Sequence, residues 1–401
     1  MGTKNFNSAT DLITFTRASG GTALRKISYG DQADGTLQLW NHSNNVPRIE
    51  YDATGAVKGL LIEEARTNLL PTSTAIESWN KLNVNTSSST VTSPSGNQDA
   101  VLVKPNSGTP PYTFIWYTTQ FNTGVITSIS VFAKASGKDF MTMCNSSANT
   151  NYASFNLSTG VVSNVTANYT ANIEDYGNGW YRCSVITPTG FNDRAIFAVA
   201  DANNTTVSVA NGEDGILLYG AQLETGAFPT SYIPTTGSTA TRAADVTTLP
   251  TSAFGYNQKA GTVLVEFKSN KPLNEQSGAF NLSDGTPNNR IIHYTTSQFH
   301  RGFVRNTSGT QADIRSFFYR GATSELVKFA MAFAENDFAT SANGASVDTD
   351  TSGTVPSGIS VLGIGYFYPN LPSSNLINGH IKSIKYYPRR LTNTQLQELT
   401  T

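Results

Sequence analysis

Apolar and polar positions alternate in short runs along this chain, and the runs are cut by clusters of Gly, Asn, Ser and Thr. In Ser128 to Lys134, Ile129, Val131 and Ala133 fall on one side of an extended segment. In Thr262 to Lys268, Val263, Val265 and Phe267 share one face and the charges the other. Period-two alternation is what a sheet with one face in a core requires. Ile216 to Leu223 reads as a buried strand leaving a turn at Asn211 to Gly215. No stretch of twelve or more residues carries apolar positions at i, i+3, i+4 and i+7, so long amphipathic helices are not expected.

One short helix is predicted at the end of the chain. Thr392 and Gln395 stand at the spacing of a capping box, and Leu391 and Leu396 at that of a hydrophobic staple. Leu396 and Leu399 give it an apolar edge to lay on a sheet, over two turns at most. The predicted fold class is all-β: a small N-terminal segment, then two antiparallel domains of jelly-roll or β-sandwich kind. Composition shifts set the boundaries at residues 1–70, 71–228 and 251–401. The stretch 229–250, with Pro229, Pro234, Gly237 and Pro250, reads as a semi-extended linker. No internal repeat relates the two large blocks, which disfavours a solenoid or propeller.

Composition narrows the function. The chain has 401 residues, of which only 14% are charged, and Ser, Thr and Asn supply about a third of it. Its 27 basic and 28 acidic residues leave a net charge of −1, so neither nucleic acid nor an anionic membrane is expected as a partner held by bulk charge. No apolar run reaches the roughly 18 residues of a membrane span, so membrane insertion is not expected. Met1 to Phe6 lack the apolar core of a signal peptide, and Sec export is not expected. Cys144 and Cys183 read as two buried thiols rather than a disulfide framework.

Catalytic chemistry finds little footing. His42, His293, His300 and His380 form no metal-spaced pair, no cysteine stands beside them at zinc spacing, and no nucleophile elbow or Walker loop occurs. A glycosidase needs two carboxylates across one bond, yet Glu266 is alone in its strand and Glu63 and Glu64 point to opposite faces if extended. Asp348 to Asp350 and Glu213–Asp214 offer oxygen ligands but read as solvated turns. The expectation is a protein that is not an enzyme, with no cofactor and no metal.

Sugar binding, in contrast, needs flat aromatic faces ringed by amides and hydroxyls. Tyr112, Trp116 and Tyr117 after Pro110–Pro111, and Tyr366, Phe367 and Tyr368 before Pro369–Asn370, supply such clusters. In an extended strand Tyr366 and Tyr368 share a face and Phe367 points inward. The candidate ligand-binding residues are therefore Trp116, Tyr117, Tyr366 and Tyr368, with filling of a core or subunit contact as the competing reading. Phe317–Phe318–Tyr319 and Trp180 read as core. Arg17, Arg48 and Arg66 read either as ion pairs with Glu50, Asp52, Glu63 or Glu64, or as contacts with a partner protein.

Four local patterns resemble a family of modular tailed-bacteriophage virion proteins of tail-fibre, head-fibre or spike type. They are Phe15 to Ser19 with Asn45 to Asp52; Gly59 to Leu70; Gly220 to Glu224 with Phe228 to Pro234 and Thr241 to Asp245; and Gly379 to Lys382 with Tyr386 to Thr392. Asn178 to Cys183 resembles part of a carbohydrate-binding jelly roll, and the fourth pattern resembles the closing strand and helix of a concanavalin-like (laminin-G-like) sandwich, which implies that fold for the last domain. The resemblance implies a virion-surface location after assembly in the host cytoplasm. It implies docking on other virion structural proteins through the N-terminal segment, with Arg17, Arg48 and Arg66 as its docking residues. It also implies a host-surface glycan as ligand and a homo-oligomer, a trimer as in many phage fibres. It carries over no catalytic residue. A purely structural head or tail decoration protein is the alternative, and a glycan depolymerase the third reading.

Overall fold

A computed structural model describes residues 13–26, 37–106, 112–118, 124–144, 151–187, 194–202, 208–210, 212–272, 274–296, 299–316, 325–371, 373 and 375–401. Among these the protein is all-β, with antiparallel sheets and one short α-helix, Asn393–Thr400, at the end. Pro110, Pro111, Asn211 and the Phe317 to Tyr319 run lie outside the described residues.

The middle sandwich is two six-stranded sheets. One runs Val161–Val165, Tyr152–Asn156, Phe140–Cys144, Arg194–Ala200, Phe114–Thr118, Asn80–Leu82. The other runs Thr170–Asp175, Tyr181–Thr187, Thr127–Ser136, Gly215–Thr225, Val101–Pro105, Val84–Ser88. Ile129, Val131 and Ala133 enter the core between them, with Met141, Phe155, Phe197 and Leu223. The opposite face of the Thr127–Ser136 strand is buried as well. A hairpin of Gly21–Lys26 and Leu37–His42 brings Leu24 and Leu39 against Phe132, Trp180 and Tyr232 there. Ser128 and Ser130 are satisfied on that side: Ser128 Oγ donates to the Phe228 carbonyl at 3.1 Å, and Ser130 Oγ accepts from Arg182 at 3.0 Å.

The last sandwich is two seven-stranded sheets. In one, Val57–Ile62 and Arg48–Tyr51 extend Asp348–Asp350, Asp337–Ala342, Val327–Ala334, Ala260–Ser269 and Gly379–Tyr387. In the other, Thr14–Thr16 pairs with Val246–Pro250, followed by Val361–Ile364, Phe280–Ser283, Arg290–Thr295, His300–Asn306 and Gly309–Ser316. Val263, Val265 and Phe267 face its core with Leu60 and Ile62. The helix lays Leu396 on Leu264, Ala330 and Ala339, on the outer side of the first sheet. Its capping box is formed: the Gln395 amide donates to Thr392 Oγ1 at 3.3 Å, and the Thr392 amide donates to Gln395 Oε1 at 3.0 Å.

Two expectations are corrected by this strand order. The first seventy residues are not a separate head: their strands lie in both sheets of the last sandwich, and their hairpin covers the middle one. The stretch 229–250 is not a semi-extended linker either. Phe228 and Tyr232 are buried, Ala240–Arg242 pairs with Arg66–Asn68, and Val246–Pro250 is a sheet strand. The physical reason is edge satisfaction. Strands too short to stand alone gain backbone partners and an apolar face only by joining a sheet made elsewhere in sequence.

Candidate functional site

The expected docking arginines come first, because burial decides their role. Arg17 is 1% exposed and Arg48 0%. Asp245 receives both, Arg17 Nη1 at 3.1 Å and Arg48 Nη2 on the other oxygen. Glu63 receives Arg48 at 2.9 Å and Arg242 at 3.2 Å, and the Ser231 amide and hydroxyl also donate to it. Backbone meets further donors, with Arg17 reaching the Ser19 and Ser43 carbonyls, each at 2.8 Å, while Arg48 Nε and Arg242 Nε are left without a partner. Isolated buried charge is expensive, and these ion pairs and hydrogen bonds are what permit it. Arg17 and Arg48 therefore hold the chain's own segments together and present nothing to a partner. Arg66 is half-buried, paired with Glu64 and stacked 4.8 Å from the Phe228 ring centroid.

Trp116 and Tyr117 lie next to each other in Phe114–Thr118, so the pleat sends them to opposite faces. Tyr117 turns to the core of the middle sandwich, edge-on to Trp79 at 5.4 Å. That corrects its assignment to a ligand surface. Trp116 stands on the outward face, edge-on to Phe114 at 5.4 Å, with the Arg194 guanidinium 5.4 Å from its ring centroid. Register across the sheet sets Trp116 beside Ile196, Ile196 beside Cys144, and Cys144 beside Tyr152. This row has an aromatic residue at each end, three strand spacings or about 14 Å apart. Beside it the hydroxyls of Thr142 and Ser154 lie 2.9 Å apart, and Asn164 Nδ2 donates to Tyr152 Oη at 3.2 Å. Trp116, Tyr152, Asn164 and Arg194 are half-buried, whereas Cys144 and Ile196 between them are closed off. Cys144 and Cys183 are both buried and joined in no disulfide, and burial pushes the Cys183 thiol well up.

The Tyr366 to Tyr368 run departs from the extended-strand reading. The strand ends at Ile364 and Gly365 takes φ +83°, a left-handed turn that abolishes the alternation. Tyr366 is 2% exposed and belongs to the core, which removes it as a ligand residue. Phe367 stacks on Tyr294 at 5.4 Å, and Tyr368 is half-exposed over the outward face of the second seven-stranded sheet. There the Arg290 guanidinium is sandwiched, 5.0 Å from the Tyr368 ring centroid and 5.4 Å from that of Phe303. Tyr294 and Arg301 continue the row at 5.5 Å, and Arg301 pairs with Asp313. Burial lowers the Arg290 pKa while Tyr368 pulls it back up.

Several of these residues were legible but unread. Arg301, Phe303 and Arg305 sit at i, i+2 and i+4, as do Arg290, Ile292 and Tyr294, so simple alternation puts each set on one face. Arg194 and Tyr152 carry no such signal, since only strand pairing brings them to Trp116. Among the described residues no three His, Cys, Asp or Glu side chains gather as a metal site would need.

No family model and no curated protein matches this chain. Solved structures do. The NanB sialidase of Streptococcus pneumoniae is similar at 15% identity and a TM-score of 0.33, over 38% of this chain and 26% of the sialidase. The CBM40 module of Ruminococcus gnavus IT-sialidase, bound to α2,3-sialyllactose, is similar at 16% identity and 0.32, over 37% of this chain and 87% of the module. Domains LG4-5 of the mouse laminin α1 chain are similar at 8% identity and 0.27, over 71% and 88%. The chain thus spans about a quarter of the length of the NanB sialidase it matches, and its structural neighbours are β-sandwich modules.

Proposed function

We propose that this chain is a non-catalytic adhesion protein of a virion surface, of the tailed-bacteriophage kind its sequence motifs resemble, and that it grips a host-surface glycan. The observation that carries the adhesion reading is the outward row from Trp116 to Tyr152. Two half-buried rings are fixed by the sheet at a separation suited to an oligosaccharide rather than a single sugar. Beside them the half-buried Asn164 amide and Arg194 guanidinium supply polar groups of the kind that sugar hydroxyls bond, while the Thr142 and Ser154 hydroxyls are buried and bonded to each other. Such contacts are shallow, and symmetric copies on one particle would multiply them. Attachment to the particle does not run through Arg17 or Arg48, which are buried and paired with Asp245 inside the chain.

The test is binding of the purified full chain to an array of bacterial surface glycans, alongside Trp116→Ala and Tyr152→Ala. Loss of an aromatic anchor is expected to weaken binding about tenfold or more. Unchanged binding in both variants would remove this face. Absence of any glycan binding, with tight capture by other virion proteins, would leave the decoration reading. Release of reducing ends from a bound polysaccharide would overturn the non-catalytic assignment.

A further inference from the structure

The outward face of the last sandwich carries an arrangement of arginines that the described residues neutralise only in part. Arg290 on one strand stands directly opposite Arg305 on the next, and Arg301 directly opposite Arg315. Like charges in directly opposed positions destabilise a sheet. Asp313 relieves Arg301, but among the described residues no carboxylate pairs with Arg290 or Arg305. Arg290 is only 9% exposed, and its Nε and Nη1 have no hydrogen-bond partner. A guanidinium held between two rings with a Tyr368 hydrogen bond but no carboxylate leaves donors unmet at a cost in folding energy, and a bound anion would offset that cost.

We infer that this face binds an acidic glycan, with an anionic substituent of the sugar set between Arg290 and Arg305 and a ring face against Phe303 and Tyr368. The guanidinium fork suits a carboxylate, sulfate or phosphate oxygen pair, and the half-buried rings suit the C–H face of a pyranose. The chain's net charge of −1 makes the concentration of four arginines here local, so the surface selects by geometry more than by bulk attraction. This surface is separate from the Trp116 face, and either assignment can fail without the other.

The full chain is titrated with polygalacturonate, dextran sulfate, neutral dextran and oligo(dT), at low and at physiological salt. Retention of polygalacturonate or dextran sulfate but not of dextran is expected, with the stronger of the two identifying the substituent. Arg305→Gln, at a half-exposed position that can change without loss of fold, is expected to weaken that binding about tenfold. Arg290→Lys, which keeps the charge but not the fork, is expected to weaken it too, while Trp116→Ala leaves it unchanged. Equal binding of dextran, preference for oligo(dT), or indifference to both arginine variants would overturn the proposal.

Discussion

Glu63 and Asp245 each hold two guanidiniums away from water, and that sets how the protein responds to acid. Burial alone would push the Glu63 carboxyl up, but Arg242, Arg48 and Ser231 outweigh it and hold it at about 2, against an ordinary 4.5. Burial, reinforced by Arg48 and Arg25, pushes the His42 imidazole down to about 4 from 6.5. For both groups the unfolded chain takes up protons more readily than the folded one, so stability declines as pH falls. The His42 contribution is lost between about 6.5 and 4, and the Glu63 contribution between about 4.5 and 2. The guanidinium chloride midpoint is therefore expected to be highest near neutrality and to drop continuously below about pH 6.5. Glu63→Gln should lower the midpoint at neutral pH and flatten the curve below about 4.5. A wild-type midpoint that does not change between pH 7 and 3 would contradict these pairings.

Among the elements, the terminal helix separates a local signal from a packing one. Thr392→Ala removes only a cap and is expected to cost about 1 kcal/mol. Leu396→Ala empties a fully buried site against Leu264 and Ala330 and should cost about 2–5 kcal/mol. Thermal or denaturant unfolding of the two variants checks the order, and a reversed order would mean the helix is not docked as described. The cap and the strand Ala260–Ser269 were readable from sequence because their determinants lie within a few residues of one another. Tyr366 was misread because one positive-φ glycine breaks the alternation that the reading assumed. Tyr117 was misread because two adjacent aromatics in a strand cannot share a face, a rule already available in the sequence.

For the whole molecule, the illegible part is the long-range pairing. Arg17 and Asp245 are 228 positions apart, and His380 bonds Glu50 across 330. No local pattern announces such partners; the quoted motifs contain these residues but not their pairing. The sequence boundary at residue 70 marks a change of composition, yet the chain crosses it to complete sheets formed much later. A chain starting at residue 71 would lose Leu60 and Ile62 from the last core, expose the edge of Gly379–Tyr387, and leave Asp245 buried without Arg17 or Arg48. It is expected to aggregate or to melt without a cooperative transition in calorimetry. An unchanged melting profile would restore an independent N-terminal head.

The pairing of Arg66–Asn68 with Ala240–Arg242 has a consequence for how such chains diversify. The polypeptide leaves the last sandwich, builds the middle one, and comes back at a neighbouring strand, about 4.8 Å from where it left. A foreign module with adjacent ends could be spliced in at that doorway without altering a single pairing in the sheets it would hang from. It would have to offer an apolar patch to Leu24 and Leu39, which rest on the present occupant, and replace the Ser231 donors that Glu63 accepts from. Specificity could then be exchanged wholesale by recombination, while the host framework stayed as it is.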